Sequence, residues 1–172
     1  VYTHDVAVVS VVTSRAKVYV GRTVDITVVA RNEGDSPETI DVVVYYGDKK
    51  VGTQTVSYLL PDNEKTLVFH WNTAGVVYGN YIISAQVTLK LAVDDDPADN
   101  TLIDGWVLVT IVGDVDDNRV VDADDVFMYV APAYGSETGS PKYNPDCDFD
   151  ENGRVDADDV FTYLARNYGK SV

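Results

Sequence analysis

Ten oxygen-bearing side chains dominate the chemistry open to this sequence. Asp114, Asp116, Asn118, Asp122 and Asp125 fall at positions 1, 3, 5, 9 and 12 of a twelve-residue run. Asp148, Asp150, Asn152, Asp156 and Asp159 take the same positions in a second run, 34 residues further on. Eight of the ten are carboxylates. A hard cation of calcium's size takes about 6–8 oxygens at roughly 2.3–2.6 Å. A short loop can supply them if alternate residues turn inward as it winds around the ion. Asp and Asn have an arm short enough to fit, and position 7 (Val120, Arg154) adds a backbone carbonyl. The spacing therefore predicts two bound Ca2+ ions per chain.

The elements around these runs repeat with them. Gly113–Gly135 and Cys147–Gly169 are identical at 14 of 23 positions. This is the ligand pattern of an EF-hand calcium loop. Asp122 and Asp156 also stand where a helix should begin, and a carboxylate there caps free amides and complements the helix dipole. Val126, Phe127 and Val130, and likewise Val160, Phe161 and Leu164, predict one apolar face on each helix. Position 8 is apolar in both copies (Val121, Val155), so the loops are expected to pack against each other there. Two differences stand out. Position 12 is Asp rather than the longer Glu, so the backbone must come closer to the ion. Position 6, a sharp turn, is Gly153 in the second loop but Arg119 in the first. An L-residue at positive φ costs about 1 kcal/mol or more, so the first loop is expected to be the weaker. No amphipathic helix precedes either loop, so each unit reads loop-then-helix.

Two loop-helix calcium units in tandem, sharing the core V-D-A-D-D-V-F, resemble a dockerin module. The likeness covers about residues 113–169. It implies a small all-α, paired loop-helix (F-hand) fold that depends on calcium and has approximate two-fold symmetry. It also implies docking onto a cohesin-like protein partner in either of two orientations. In dockerins, positions 10 and 11 and a pair further down each helix contact the partner. The matching residues are Ala123, Asp124, Val130 and Ala131, then Ala157, Asp158, Leu164 and Ala165.

Charge agrees with ion binding. The net charge is −15, and residues 113–172 carry 14 acids against 5 bases. Without metal the loop carboxylates repel one another, so this region is expected to loosen in the apo state. So acidic a chain argues against nucleic acid or an anionic membrane as partner. The single Cys147 excludes an internal disulfide, and it reads as a small half-buried residue beside a loop. No apolar run is long enough to span a membrane. The chain opens at Val1 rather than Met, as expected of a processed or excised product. Calcium loops are most useful where calcium is abundant, which points to an extracellular or cell-surface location.

Residues 1–112 read as strand after strand. His4–Thr13 alternates, with Val6, Val8, Ser10 and Val12 on one side. Arg22–Arg31, Thr39–Tyr46, Val51–Leu59, Thr66–Trp71, Tyr81–Leu91 and Thr101–Val112 follow, separated by turn clusters. Seven or eight strands at this spacing predict an all-β sandwich. Asp5–Val11, Val20–Gly34, Gly52–Val56, Phe69–Trp71, Gly79–Tyr81 and the acidic stretch Asp94–Thr101 resemble the CARDB family of bacterial and archaeal surface proteins. That resemblance implies an immunoglobulin-like sandwich that serves as an adhesion or spacer domain, with no catalytic residues.

The whole chain is thus expected to be multidomain, with a CARDB-like β-sandwich at 1–112 and a dockerin-like calcium module at 113–172. No Ser-His-Asp spacing, phosphate loop or Cys/His cluster is present, so no enzyme is expected. His70 should point away from Phe69 and Trp71. Asp94, Asp95, Asp96 and Asp99 are either a solvated turn or a further cation site. Tyr134 and Tyr168 are expected to pack between the two calcium units. Two functions remain open: a non-catalytic, calcium-dependent interaction protein, or a structural subunit that assembles with copies of itself, its strand Val1–Thr13 completing a neighbour's sheet.

Overall fold

The computed structural model describes residues 3–172. The chain divides into two compact units, 1–75 with 79–108, and 76–78 with 109–172.

The first unit is built from eight strands: β1 (Val6–Thr13), β2 (Lys17–Tyr19), β3 (Thr23–Asn32), β4 (Glu38–Tyr46), β5 (Lys49–Leu59), β6 (Glu64–Asn72), β7 (Gly79–Leu89) and β8 (Thr101–Thr110). The unit boundary falls inside β8. One sheet has the order β1-β3-β6 and the other β2-β8-β7-β4-β5. Side chains alternate across a strand, so one face of each sheet can be apolar throughout. Val24, Ile26, Val28 and Ala30 of β3 are buried, as are Leu67, Phe69 and Trp71 of β6. From the other sheet come Ile40, Val42 and Val44 of β4 and Ile83, Ala85 and Val87 of β7. Each large aliphatic side chain so buried contributes about 1.5–3 kcal/mol. His70 lies on the outer face, as expected, with Nδ1 2.6 Å from Asp25 Oδ1.

The expected alternation fails in β1. Its pairing with β3 runs Val8↔Ala30 and then Ser10↔Val29, leaving Val9 as a bulge. A bulge reverses the side-chain phase beyond it. Val6, Ala7, Val8 and Val11 are therefore buried, while Val9 and Val12 are exposed. The three-residue strand β2 has no counterpart in the sequence reading. Of the expected donor strand Val1–Thr13, Val1 and Tyr2 lie outside the described residues.

The second unit holds the two repeats and is not purely helical. Its first helix spans 123–133 and its second 157–167. The middle of each is π-helical, at Asp125–Val130 and Asp159–Leu164. The Ala131 N–H accordingly bonds the carbonyl of Val126, five residues back. A short antiparallel ladder joins β9 (Ser136–Glu137) to β10 (Arg154–Val155).

Candidate metal centres

Each helix begins where its acidic run ends. Asp122 Oδ1 accepts the Asp124 N–H at 2.9 Å, and Asp125 Oδ2 accepts the Asp122 N–H at 2.9 Å. Asp156 and Asp159 repeat both bonds, at 2.9 and 2.8 Å. This is a reciprocal capping box with Asp in place of Glu. It places the position-12 carboxylate back over its own loop. There Asp125 Oδ1 accepts from the N–H groups of Val115 and Asp116, at 2.6 and 3.2 Å. Asp159 Oδ1 does the same with Phe149 and Asp150, at 2.6 and 3.3 Å.

The result is two groups of converging carboxylates. Oxygens of Asp114, Asp116 and Asp125 all lie within 4.8 Å of one another, as do those of Asp148, Asp150 and Asp159. Two ligands on opposite sides of one calcium ion stand about 5 Å apart, twice the Ca–O bond, so both groups fit one ion. Asp114, Asp125, Asp148 and Asp159 are buried. Burial pushes the Asp125 and Asp159 carboxyls above the usual carboxylate range, against the loop amides that pull them down. A buried carboxylate cluster of this kind is costly unless a cation neutralises it. Each oxygen has about two lone pairs, so those bonded to amides can still bind an ion.

The remaining predicted ligands flank these groups. Asn118 Oδ1 accepts the Val120 N–H at 2.8 Å, and Asn152 Oδ1 accepts the Arg154 N–H at 2.8 Å. Asp122 and Asp156 stand outside the three-carboxylate groups, at the helix starts. Position 9 commonly reaches its ion through water.

The loops differ as the sequence implies. Arg119 has φ 74° and Gly153 φ 88°. The Gly153 N–H donates to Asp148 Oδ2 at 2.8 Å, whereas the Arg119 N–H reaches Asp114 Oδ1 only at 3.4 Å. Asp148 also accepts the Tyr143 hydroxyl at 2.7 Å. Asp114 accepts the Thr110 hydroxyl instead.

Several expectations about this unit meet a different arrangement. First, Val121 and Val155 at position 8 are buried, and the backbone of each loop pairs with the segment leaving the other repeat's helix. Gly135 N–H donates to Val155 O and Gly169 N–H to Val121 O, both at 2.7 Å. Thr138 N–H reaches Gly153 O at 2.8 Å and Val172 N–H reaches Arg119 O at 3.0 Å. Second, Phe127 and Phe161 do not lie on a buried face; they are 71% and 72% exposed. Asp125 and Val130, like Asp159 and Leu164, are buried five residues apart, the same step as the π-helical hydrogen bonds. Third, Val130 and Leu164 are 2% exposed, so neither can touch a partner. Asp124, Ala131, Ala157, Asp158 and Ala165 are exposed, and Ala123 is half-buried. Tyr134 and Tyr168 are also largely exposed, and Cys147 is fully buried rather than half-buried.

In the β-sandwich the stretch 90–100 between β7 and β8 lies against the start of β1. Asp94 Oδ2 accepts the Val6 N–H at 3.2 Å, and Asp95 Oδ2 accepts the His4 N–H at 2.9 Å. Burial, then Asp99 and Asp94, raise the Asp5 carboxyl to about 6. Burial and Asp96 raise that of Asp99. Asp5 entered the sequence reading only within the CARDB-like stretch Asp5–Val11, because 89 positions separate it from Asp94.

Eight strands in two sheets around an aliphatic core define the first unit as an immunoglobulin-like β-sandwich. The CARDB family model matches residues 3–103, more than half of the chain. The chain belongs to the CARDB family. The match ends before either acidic loop. The CARDB domain of a Pyrococcus furiosus protein, solved in complex with di-metal ions, is 25% identical with a TM-score of 0.47. The match covers 64% of this chain and 94% of that one. A domain of a predicted cell surface protein of Methanosarcina acetivorans is also 25% identical, with a TM-score of 0.47, over 62% of this chain and 92% of that one. A β-glucosidase of Erythrobacter marinus is similar over 62% of this chain and 16% of its own, at 17% identity and TM-score 0.50. That last likeness is one of fold alone. The comparison with curated proteins found no match.

Proposed function

We propose that this chain is a non-catalytic interaction protein of the cell surface or extracellular space, whose C-terminal repeats form a dockerin-like module folded by two calcium ions. One observation carries the reading: each repeat gathers three carboxylates within 4.8 Å, two of them buried. Hydrogen bonds alone leave six converging negative charges uncompensated, and two divalent ions offset four of them. No helix among the described residues is long and apolar enough to cross a membrane. The partner is a protein of the cohesin type, met through the exposed helix residues. Calcium titration with circular dichroism tests this directly. The expected result is a gain of helical signal saturating at two ions in the C-terminal unit. An unchanged spectrum and unchanged melting in excess chelator would sink the reading.

The rival is self-assembly into a filament or surface layer. It is favoured by Val9 and Val12, two large apolar side chains exposed on β1. The stretch 90–100 bonds β1 at Val6 and Val8, so a donated strand would have to displace it. Sedimentation with and without calcium separates the two: calcium-dependent polymers favour the rival, monomers in both conditions the first reading.

A further inference from the structure

We infer that Thr110 and Tyr143 are positioning residues for the two acidic loops: each hydroxyl holds the first carboxylate of its loop, Asp114 or Asp148, in the orientation that receives the ion. This rests on the calcium reading of the loops given above. No α-helix leads into either loop. Strand β8 runs up to the first, and a single 3-10 turn, Pro145–Cys147, runs up to the second. Position 1 is therefore steered by whatever the incoming segment offers, and in both cases it offers a hydroxyl. Thr110 Oγ1 donates to Asp114 Oδ2 from four residues upstream. The Tyr143 hydroxyl donates to Asp148 Oδ2 at 2.7 Å from five residues upstream. Thr110, Asp114 and Asp148 are buried, and Tyr143 is half-buried.

The duplication does not account for this. The repeats are offset by 34 residues, which sets Asn144 opposite Thr110 and Val109 opposite Tyr143. A threonine at the end of a strand and a phenol in an irregular segment thus reach the same carboxylate atom by unrelated routes. A hydroxyl suits the task, because it orients a carboxylate without cancelling the charge that draws a cation. A Lys or Arg donor in its place would compete with the ion. Hydrogen bonds from outside the ligand set fix a ligand's orientation, and their loss costs about 10–100-fold in metal affinity. Help from inside the loops is unequal. Asp148 Oδ2 also takes the Gly153 N–H at 2.8 Å, whereas the Arg119 N–H reaches Asp114 only at 3.4 Å. Thr110 should therefore matter more to its loop than Tyr143 does to the other.

Calcium titration of the full chain followed by amide NMR tests this, with Arg119 reporting the first loop and Gly153 the second. Thr110→Val should weaken the first loop by about 10–100-fold, and Tyr143→Phe the second by about tenfold. Each should leave the other loop much less affected. Thr110→Ser keeps the hydroxyl and should bind as wild type does. A general loss of stability looks different, since it weakens both loops together in either variant. That pattern, or variants that bind as tightly as wild type, would overturn the positioning role. So would Thr110→Ser binding as weakly as Thr110→Val, which would assign the effect to lost packing. Failure of the calcium reading itself would show in the wild type, as amides of both loops that do not move in millimolar calcium, and the hydroxyls would then have no ion to serve.

Discussion

The two acidic loops carry one ligand set on two backbones of unequal comfort. Loop 114–125 forces Arg119 to φ 74°, where loop 148–159 has Gly153. The tight N–H bond from position 6 to the first carboxylate, 2.8 Å in the second loop, stretches to 3.4 Å in the first. Identical ligands therefore do not mean identical sites; the turn that presents them sets the quality of each. Yet the loops are not independent, because each is hydrogen-bonded to the segment that leaves the other's helix.

The largest expected effect removes the comparison altogether. Excess chelator should melt helices 123–133 and 157–167 while the sandwich persists, read as lost helical signal with a retained β spectrum. Next, Asp148→Ala should weaken calcium binding by the order of 100-fold, and Asp114→Ala should cost visibly less because its loop is already compromised. Calorimetric titration giving equal losses would show that the difference in backbone is immaterial. Third, deleting Lys170–Val172 removes the bonds Lys170 O and Val172 N–H make to Val121 and Arg119. The remote first loop should weaken about tenfold, and the second, although adjacent in sequence, should change less. The reverse order would break the exchange of segments. Fourth, Arg119→Gly should tighten the first loop by about 1 kcal/mol, roughly fivefold in affinity. Finally, Phe127→Ser and Phe161→Ser should each shift stability by no more than about 0.5 kcal/mol. A loss of several kcal/mol in denaturant titration would return these rings to the core.

Much of this was legible before any coordinates. Ligand spacing depends on local winding, so Asp114, Asp116 and Asp125 could be grouped from sequence alone, as could the cap at Asp122. Strand alternation in β3, β6 and β7 reads directly from Val24–Ala30, Leu67–Trp71 and Ile83–Val87. The misreadings share a cause. Phase arguments assume an uninterrupted period, and both the Val9 bulge and the π-turns insert a residue into it. In the strand the extra residue puts each later side chain on the other face, which exposes Val12 and buries Val11; in the helices it turns the apolar stripe about the axis, and Phe127 and Phe161 meet solvent.

Local chemistry was thus determined by the order of residues: which oxygens surround an ion, where each helix is capped, and which faces of most strands are apolar. These properties rest on neighbours within about a dozen positions, where chain geometry leaves few options. Tertiary structure alone decided the rest. It laid the stretch 94–99 against the start of β1 and clamped each loop with the other repeat's trailing segment. It also chose which rings on the helices meet solvent. Such pairings join residues tens of positions apart, and only the folded backbone brings them within bonding distance.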